Sequence, residues 1–100
     1  MVKRYRFGEL EFNWDERKAA VNARKHGVRF EEAATVFVDP LGRIYDDPDH
    51  SEHEARFLLV GHSLAGRILL VVHVEKDDTI RIVSARRASP REREEFETNA

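Results

Sequence analysis

WDERKAAVNARKHGVRFEEA, residues 14–33, reads as two helices separated by a stop. Asn13 or Asp15 can cap the first helix by accepting hydrogen bonds from N–H groups that lack an intrahelical partner. Ala19, Ala20 and Ala23 are strong helix formers. Gly27 suits the left-handed position after a helix C-terminus, which a Cβ resists, so this helix should end near His26. Val28 and Phe30 lead into a second helix predicted over residues 31–38. Its Ala33, Ala34, Val36 and Phe37 form an apolar face, and Asp39-Pro40-Leu41-Gly42 stops it.

Around this helical pair the pattern turns to strands. Phe7, Leu10 and Phe12 alternate loosely and predict one short strand over residues 7–12. Downstream, strands are predicted over residues 43–45, 56–61, 67–75 and 79–85, with short turns at 62–66 and 76–78. In the 67–75 segment Ile68, Leu70, Val72 and Val74 alternate with Leu69 and Val71, so both faces are apolar and the strand should be central. Ser89-Pro90-Arg91-Glu92 carries a serine cap, a proline at the first helical position and a glutamate three residues after the cap, predicting a last helix over 90–98. The fold class is therefore α+β. We expect an antiparallel four- to five-stranded sheet, two N-terminal helices packed on one face, and a short C-terminal helix.

One hundred residues suit a single domain, residues 1–100. Cysteine is absent, which removes disulfides and thiolate metal sites and fits a cytoplasmic location. The first residues, MVKRYRFGELEF, lack the apolar run of a secretory signal, and the apolar run 68–72 is too short to span a bilayer. The formal net charge is −2, whereas a simple nucleic-acid binder is basic overall. The charges are segregated, however. Acids crowd residues 46–54 and 92–97, and cations crowd 17–29 and 81–93, so a local positive patch is expected.

Four groups of residues can carry chemistry. Lys18, Asn22 and Lys25 recur at helical spacing on one face, with His26 at the helix end. They form either a solvated stripe or a phosphate-contacting one. In the 79–85 strand and its continuation, Arg81, Val83, Ala85 and Arg87 share one face if no bulge intervenes, and Ile80, Ile82, Ser84 and Arg86 share the other. Arginine suits phosphate because its forked donors keep their charge, but these arginines can equally pair with Glu92, Glu94 or Glu95. His73 is either a hydrogen-bonded core residue or a general acid or base; His62 reads as a hairpin-loop residue. The 46–53 loop mixes carboxylates with His50 and His53, but its spacing matches no zinc motif, and a solvated acidic loop is the better reading. No P-loop or nucleophile elbow occurs.

Several separated pieces together resemble the BrnT family of bacterial type II toxins. They are Trp14-Asp15, Lys18, Asn22, Lys25-His26-Gly27-Val28, Phe30-Glu31-Glu32-Ala33, Arg56 with Gly61, and the run from Arg81 to Ala88. The resemblance spans residues 12–95. It implies a RelE-like fold and an endoribonuclease that blocks translation without a metal or other cofactor. It also implies a ribbon-helix-helix antitoxin, a two-plus-two complex, and contact with operator DNA through that antitoxin. On this resemblance His26 or His73 is the candidate acid or base. Lys25, Arg81 and Arg87 are candidates for stabilising charge, and Lys18, Arg56 and Arg86 for positioning the RNA backbone. The chain departs from the pattern in its mild acidity and in the residues before Trp14. Two other functions compete: an inactive, antitoxin-bound corepressor, and a metal-dependent nuclease using the 46–53 loop.

Overall fold

The computed structural model describes residues 1–47 and 54–99. Helix α1 (Glu16–His26) begins where the sequence directs it. The Asp15 carboxylate accepts from the backbone N–H groups of Arg17 (2.8 Å) and Lys18 (3.1 Å). It ends at Gly27, whose φ of 67° is left-handed and whose N–H donates to the Ala23 carbonyl. Helix α2 (Phe30–Thr35) is shorter than the predicted 31–38 segment, because the chain tightens into a 3₁₀ turn over Val36–Val38.

The strand predicted over 7–12 is two strands, β1 (Val2–Phe7) and β2 (Leu10–Asp15), paired antiparallel around a turn at Gly8. β1 escapes sequence reading because it is an edge strand. Only Tyr5 and Phe7 in VKRYRF are half-buried, so charged residues mask the alternation. The remaining strands are β3 (Arg43–Asp46), β4 (Phe57–His62), β5 (Ile68–Lys76) and β6 (Thr79–Arg87), followed by helix α3 (Pro90–Thr98).

The sheet has six strands in the order β1-β2-β6-β5-β4-β3. This corrects the expected four to five antiparallel strands. One pairing is parallel, β2 with β6, matching Glu11–Asn13 to Thr79–Arg81. A parallel pair needs a long crossover, and α1, α2 and three intervening strands supply it. β5 is interior, as its two apolar faces required.

The helices divide between the two faces of this sheet. α1 and α2 cover one face, where Phe12, Trp14, Phe30, Leu69, Val71 and Ile82 form the main core. α3 lies on the other face and sets Phe96 against Val60 and Leu70.

The register of β6 decides where the arginines go. Val72 pairs with Ser84 but His73 pairs with Ile82, so Val83 is an extra residue bulged out of the ladder. Cross-strand partners share a face, which puts Ile82, Ala85 and Arg87 on the α1/α2 side with His73, Val71 and Leu69. Arg81, Ser84 and Arg86 fall on the α3 side with Val74, Val72 and Leu70. The expectation that Arg81 and Arg87 share a face is thereby overturned.

β2 pairs with β6 only as far as Asn13 opposite Arg81. Beyond that point α1 takes the place of a strand. The buried Asn22 amide donates to the carbonyls of Ala85 (2.8 Å) and Val28 (3.0 Å), and its oxygen accepts from the Ala85 N–H (3.1 Å). Asn22→Ala removes the side-chain partner of these backbone groups, which costs about 1–3 kcal/mol for each group left unsatisfied. Urea denaturation of this variant should show a loss of at least about 1 kcal/mol. A variant as stable as the parent would mean the clasp contributes nothing.

Candidate functional site

α1 crosses beside β6 and leaves a groove of about 320 Å³ between them. Arg17, Lys18, Lys25 and His26 line the helix side, and Val83 and Ser84 line the strand side. Among the described residues, Arg17, Lys18 and Lys25 make no side-chain ion pair. Their charge is available to a ligand.

A second concavity, of about 300 Å³, opens on the α3 face. Leu58, Leu70 and Val72 line it from the sheet, with Asp47, Arg86 and Glu92 at its polar edge. His26 and Ser84 line both spaces, so the two adjoin at the C-terminal end of α1. That end is firmly placed. The Arg67 guanidinium donates to the Gly27 carbonyl (3.0 Å) while pairing with Glu32, which also accepts from the Ser63 hydroxyl (2.7 Å). Arg67 is the main cause holding the Glu32 carboxyl below its ordinary range, with Ser63 assisting.

The arginines of β6 meet three different fates. Arg86 pairs with Glu92 through two bonds of 2.8 and 2.9 Å. Glu92 is also the acid of the α3 capping box, accepting from the Ser89 N–H (2.8 Å) while its own N–H donates to the Ser89 hydroxyl (3.2 Å). Arg86, foremost, and Ser89 bring the Glu92 carboxyl down to about 2. Arg81 donates to both carboxylate oxygens of Glu54 at 2.8 Å, and Arg56 lies 3.5 Å from the same carboxylate. This pairing, with Arg81 the largest cause, holds the Glu54 carboxyl below its ordinary range. Arg87 sits exposed on the opposite face and makes no ion pair among the described residues, although its charge also favours ionised Glu32.

The sequence-predicted residues thus separate. Lys18, Lys25 and His26 come together in the groove, and Arg86 lies in the adjoining concavity. Arg56 and Arg81 gather around Glu54 instead. His73 has 0% exposure, with Nε2 3.1 Å from a Glu75 oxygen and the Phe37 ring packed edge-on at 4.8 Å; it is a core residue of the sheet. His62 is not a loop residue but ends β4, with Nδ1 2.9 Å from Asp39 and its ring against Phe96. Residues 48–53 of the acidic loop lie outside the described residues, and among the described ones no group of three or more His, Asp or Glu is arranged to hold a metal.

Sequence reasoning missed Arg17, Ser84 and Glu54. Arg17, Val21 and Lys25 form a second row at four-residue spacing that signals Arg17. Ser84 could not be placed without the bulge.

The family model described as "Ribonuclease toxin, BrnT, of type II toxin-antitoxin system" matches residues 14–92. The chain belongs to the BrnT family. The 1.1 Å crystal structure of the Brucella abortus ribonuclease toxin BrnT shares its fold, with a TM-score of 0.56 and 23% sequence identity. That match covers 76% of this chain and 92% of the Brucella chain. No curated protein sequence matches. As a BrnT-family member, the chain is a ribonuclease toxin of a type II system, and such a toxin has an antitoxin partner. β1 and most of β2 lie before the matched region. No helix among the described residues is long and apolar enough to cross a membrane.

The Glu92 pairing has a pH signature. Its folded carboxyl lies at about 2 against an ordinary 4.5, so its contribution is full above about pH 4.5 and disappears as the pH falls through about 2. The stability gap between the native protein and Glu92→Gln should therefore narrow over that interval. Thermal unfolding of both proteins from pH 6 downward checks this; a gap independent of pH would contradict it.

Proposed function

We propose that this BrnT-family protein is a metal-independent endoribonuclease whose substrate backbone lies in the α1–β6 groove. The observation that carries this reading is the row of cations Arg17, Lys18 and Lys25, which make no ion pair among the described residues, leading to His26 where the groove meets the sheet concavity. Phosphate needs fixed positive charge, and elsewhere near the site Arg86 and Arg81 already have carboxylate partners.

The chemistry needs no external nucleophile. His26 takes the proton from a ribose 2′-hydroxyl, and that oxygen attacks the adjacent phosphorus. The bond from phosphorus to the 5′-oxygen breaks, leaving a 2′,3′-cyclic phosphate and a 5′-hydroxyl. A protonated group, His26 after it has accepted the first proton or Lys25 beside it, supplies the proton to the leaving oxygen. Lys25 also offsets the extra charge on the phosphorane, and Lys18 and Arg17 hold flanking phosphates. In this reading His73 supports the sheet from the core. Arg56 and Arg81 engage Glu54 instead, and Arg87 lines neither the groove nor the concavity.

Cleavage of cellular RNA in this way inhibits translation. A ribbon-helix-helix antitoxin would neutralise the toxin in a two-plus-two complex and carry the contacts to operator DNA. These partner assignments rest on family membership.

Labelled single-stranded RNA incubated with purified protein in excess EDTA tests the reaction. The native protein should cleave. His26→Ala should lower the rate by about 10²-fold or more and Lys25→Ala by about tenfold or more, whereas folded Arg81→Ala should retain activity within about threefold. If Arg81→Ala abolishes cleavage and His26→Ala does not, the reacting phosphate sits at the Glu54–Arg81 end. Absence of cleavage by the native protein would favour an inactive corepressor.

A further inference from the structure

We propose that the concavity on the α3 face is a nucleobase subsite, so that a single-stranded nucleotide straddles the C-terminal end of α1. Its phosphate would lie in the α1–β6 groove and its base against Leu58, Leu70 and Val72. The inference rests on the ribonuclease reading above and adds the form of substrate that this reading leaves open.

The two adjoining spaces differ in charge, and that difference fixes the orientation. The groove offers Arg17, Lys18 and Lys25, which make no ion pair among the described residues. In the concavity, Arg86 is already matched by Glu92 through two bonds, and Glu92 is held in place by the Ser89 N–H as well. A phosphate entering there would have to displace a carboxylate that serves both an arginine and a helix cap. It would gain little, so the concavity is a poor anion site.

For a flat, uncharged ring the balance reverses. Leu58 and Val72 are half-buried on the sheet surface, and covering them removes apolar area from water. A volume of about 300 Å³ lies at the small end of ligand sites. Polar residues also line the space, His26 and Ser84 at its junction with the groove and Asp47, Arg86 and Glu92 along its edge. A base in this position leaves its ribose at the junction lined by His26 and Ser84. A base stacked within a duplex cannot enter, so the substrate is single-stranded or has a base turned outward.

Fluorescence anisotropy with non-cleavable 2′-O-methyl RNA strands tests this on the full chain. Two single strands of equal length are compared, one bearing bases and one abasic. The native protein should bind the base-bearing strand about tenfold more tightly or better. Val72→Gln and Leu58→Ser, each checked for folding by its thermal transition, should bring that ratio toward one. Lys25→Ala should weaken both strands and keep the ratio. Equal affinity of the native protein for both strands would overturn the subsite while leaving phosphate binding intact. So would a preference that survives in both folded floor variants, or equal binding of a duplex. Failure to bind either strand would overturn the ribonuclease reading itself.

Discussion

Beyond Arg81, β6 has a strand on one side only, and the Asn22 amide supplies the other side. One side chain offers both a donor and an acceptor to Ala85, as a neighbouring strand would, and a second donor bond reaches Val28 just after the helix stop. Buried backbone groups must find partners, so this clasp sets how closely α1 can approach the sheet. The depth of the groove and the position of Lys18 and Lys25, on either side of Asn22 along the helix, follow from it. So does the location of His26 at the groove's end, which the Arg67 bond to the Gly27 carbonyl then secures.

The bulge at Val83 makes the same strand serve two faces in turn. Before it, Ile80 and Ile82 contribute to the core beneath the helices; after it, Ala85 takes that role and Ser84 and Arg86 turn to the α3 side. An unbroken strand would set Arg86 on the face of Ile82 and expose Ala85 to the opposite side. The bulge therefore keeps a small residue where Asn22 must reach the backbone and delivers Ser84 to the boundary between groove and concavity. Bulges often occur where a strand must re-aim a side chain beside a functional site.

Much of this was legible in the chain itself. Asp15 as a cap, Gly27 as a stop, β5 as a central strand and the Ser89–Glu92 capping box are local signals, and each acts in the structure as its chemistry predicts. Lys18 and Lys25 were legible because helical spacing brings them onto one side without tertiary information, but Asn22, read as part of the same polar stripe, is instead buried against the Ala85 backbone. What stayed hidden depends on distant partners. β1 is recognisable only once β2 pairs with it, and the parallel match of β2 to β6 joins segments separated by most of the chain. The facing of Arg81 and Arg87 turned on one bulged residue, and alternation counted along an ideal strand cannot detect that. Glu54 as the partner of Arg81 arises from tertiary folding and has no periodic signature.

The net charge of −2 also finds an explanation at this level. Total charge governs the field far from a protein, but at physiological salt that field fades within about 8 Å, and a bound phosphate responds to its immediate neighbours. Here the acids lie where they cancel particular cations: Glu32 on Arg67, Glu54 on Arg81 and Arg56, Glu92 on Arg86. Each pairing fastens one part of the fold to another, and none involves Arg17, Lys18 or Lys25. The carboxylates thus reduce the overall charge without occupying the groove. They also keep Arg56, Arg67, Arg81 and Arg86 from competing for the same phosphates, so an acidic chain can still present a cationic path in the groove. The cations on that path meet the Leu58–Leu70–Val72 concavity at the residues both spaces share, His26 and Ser84.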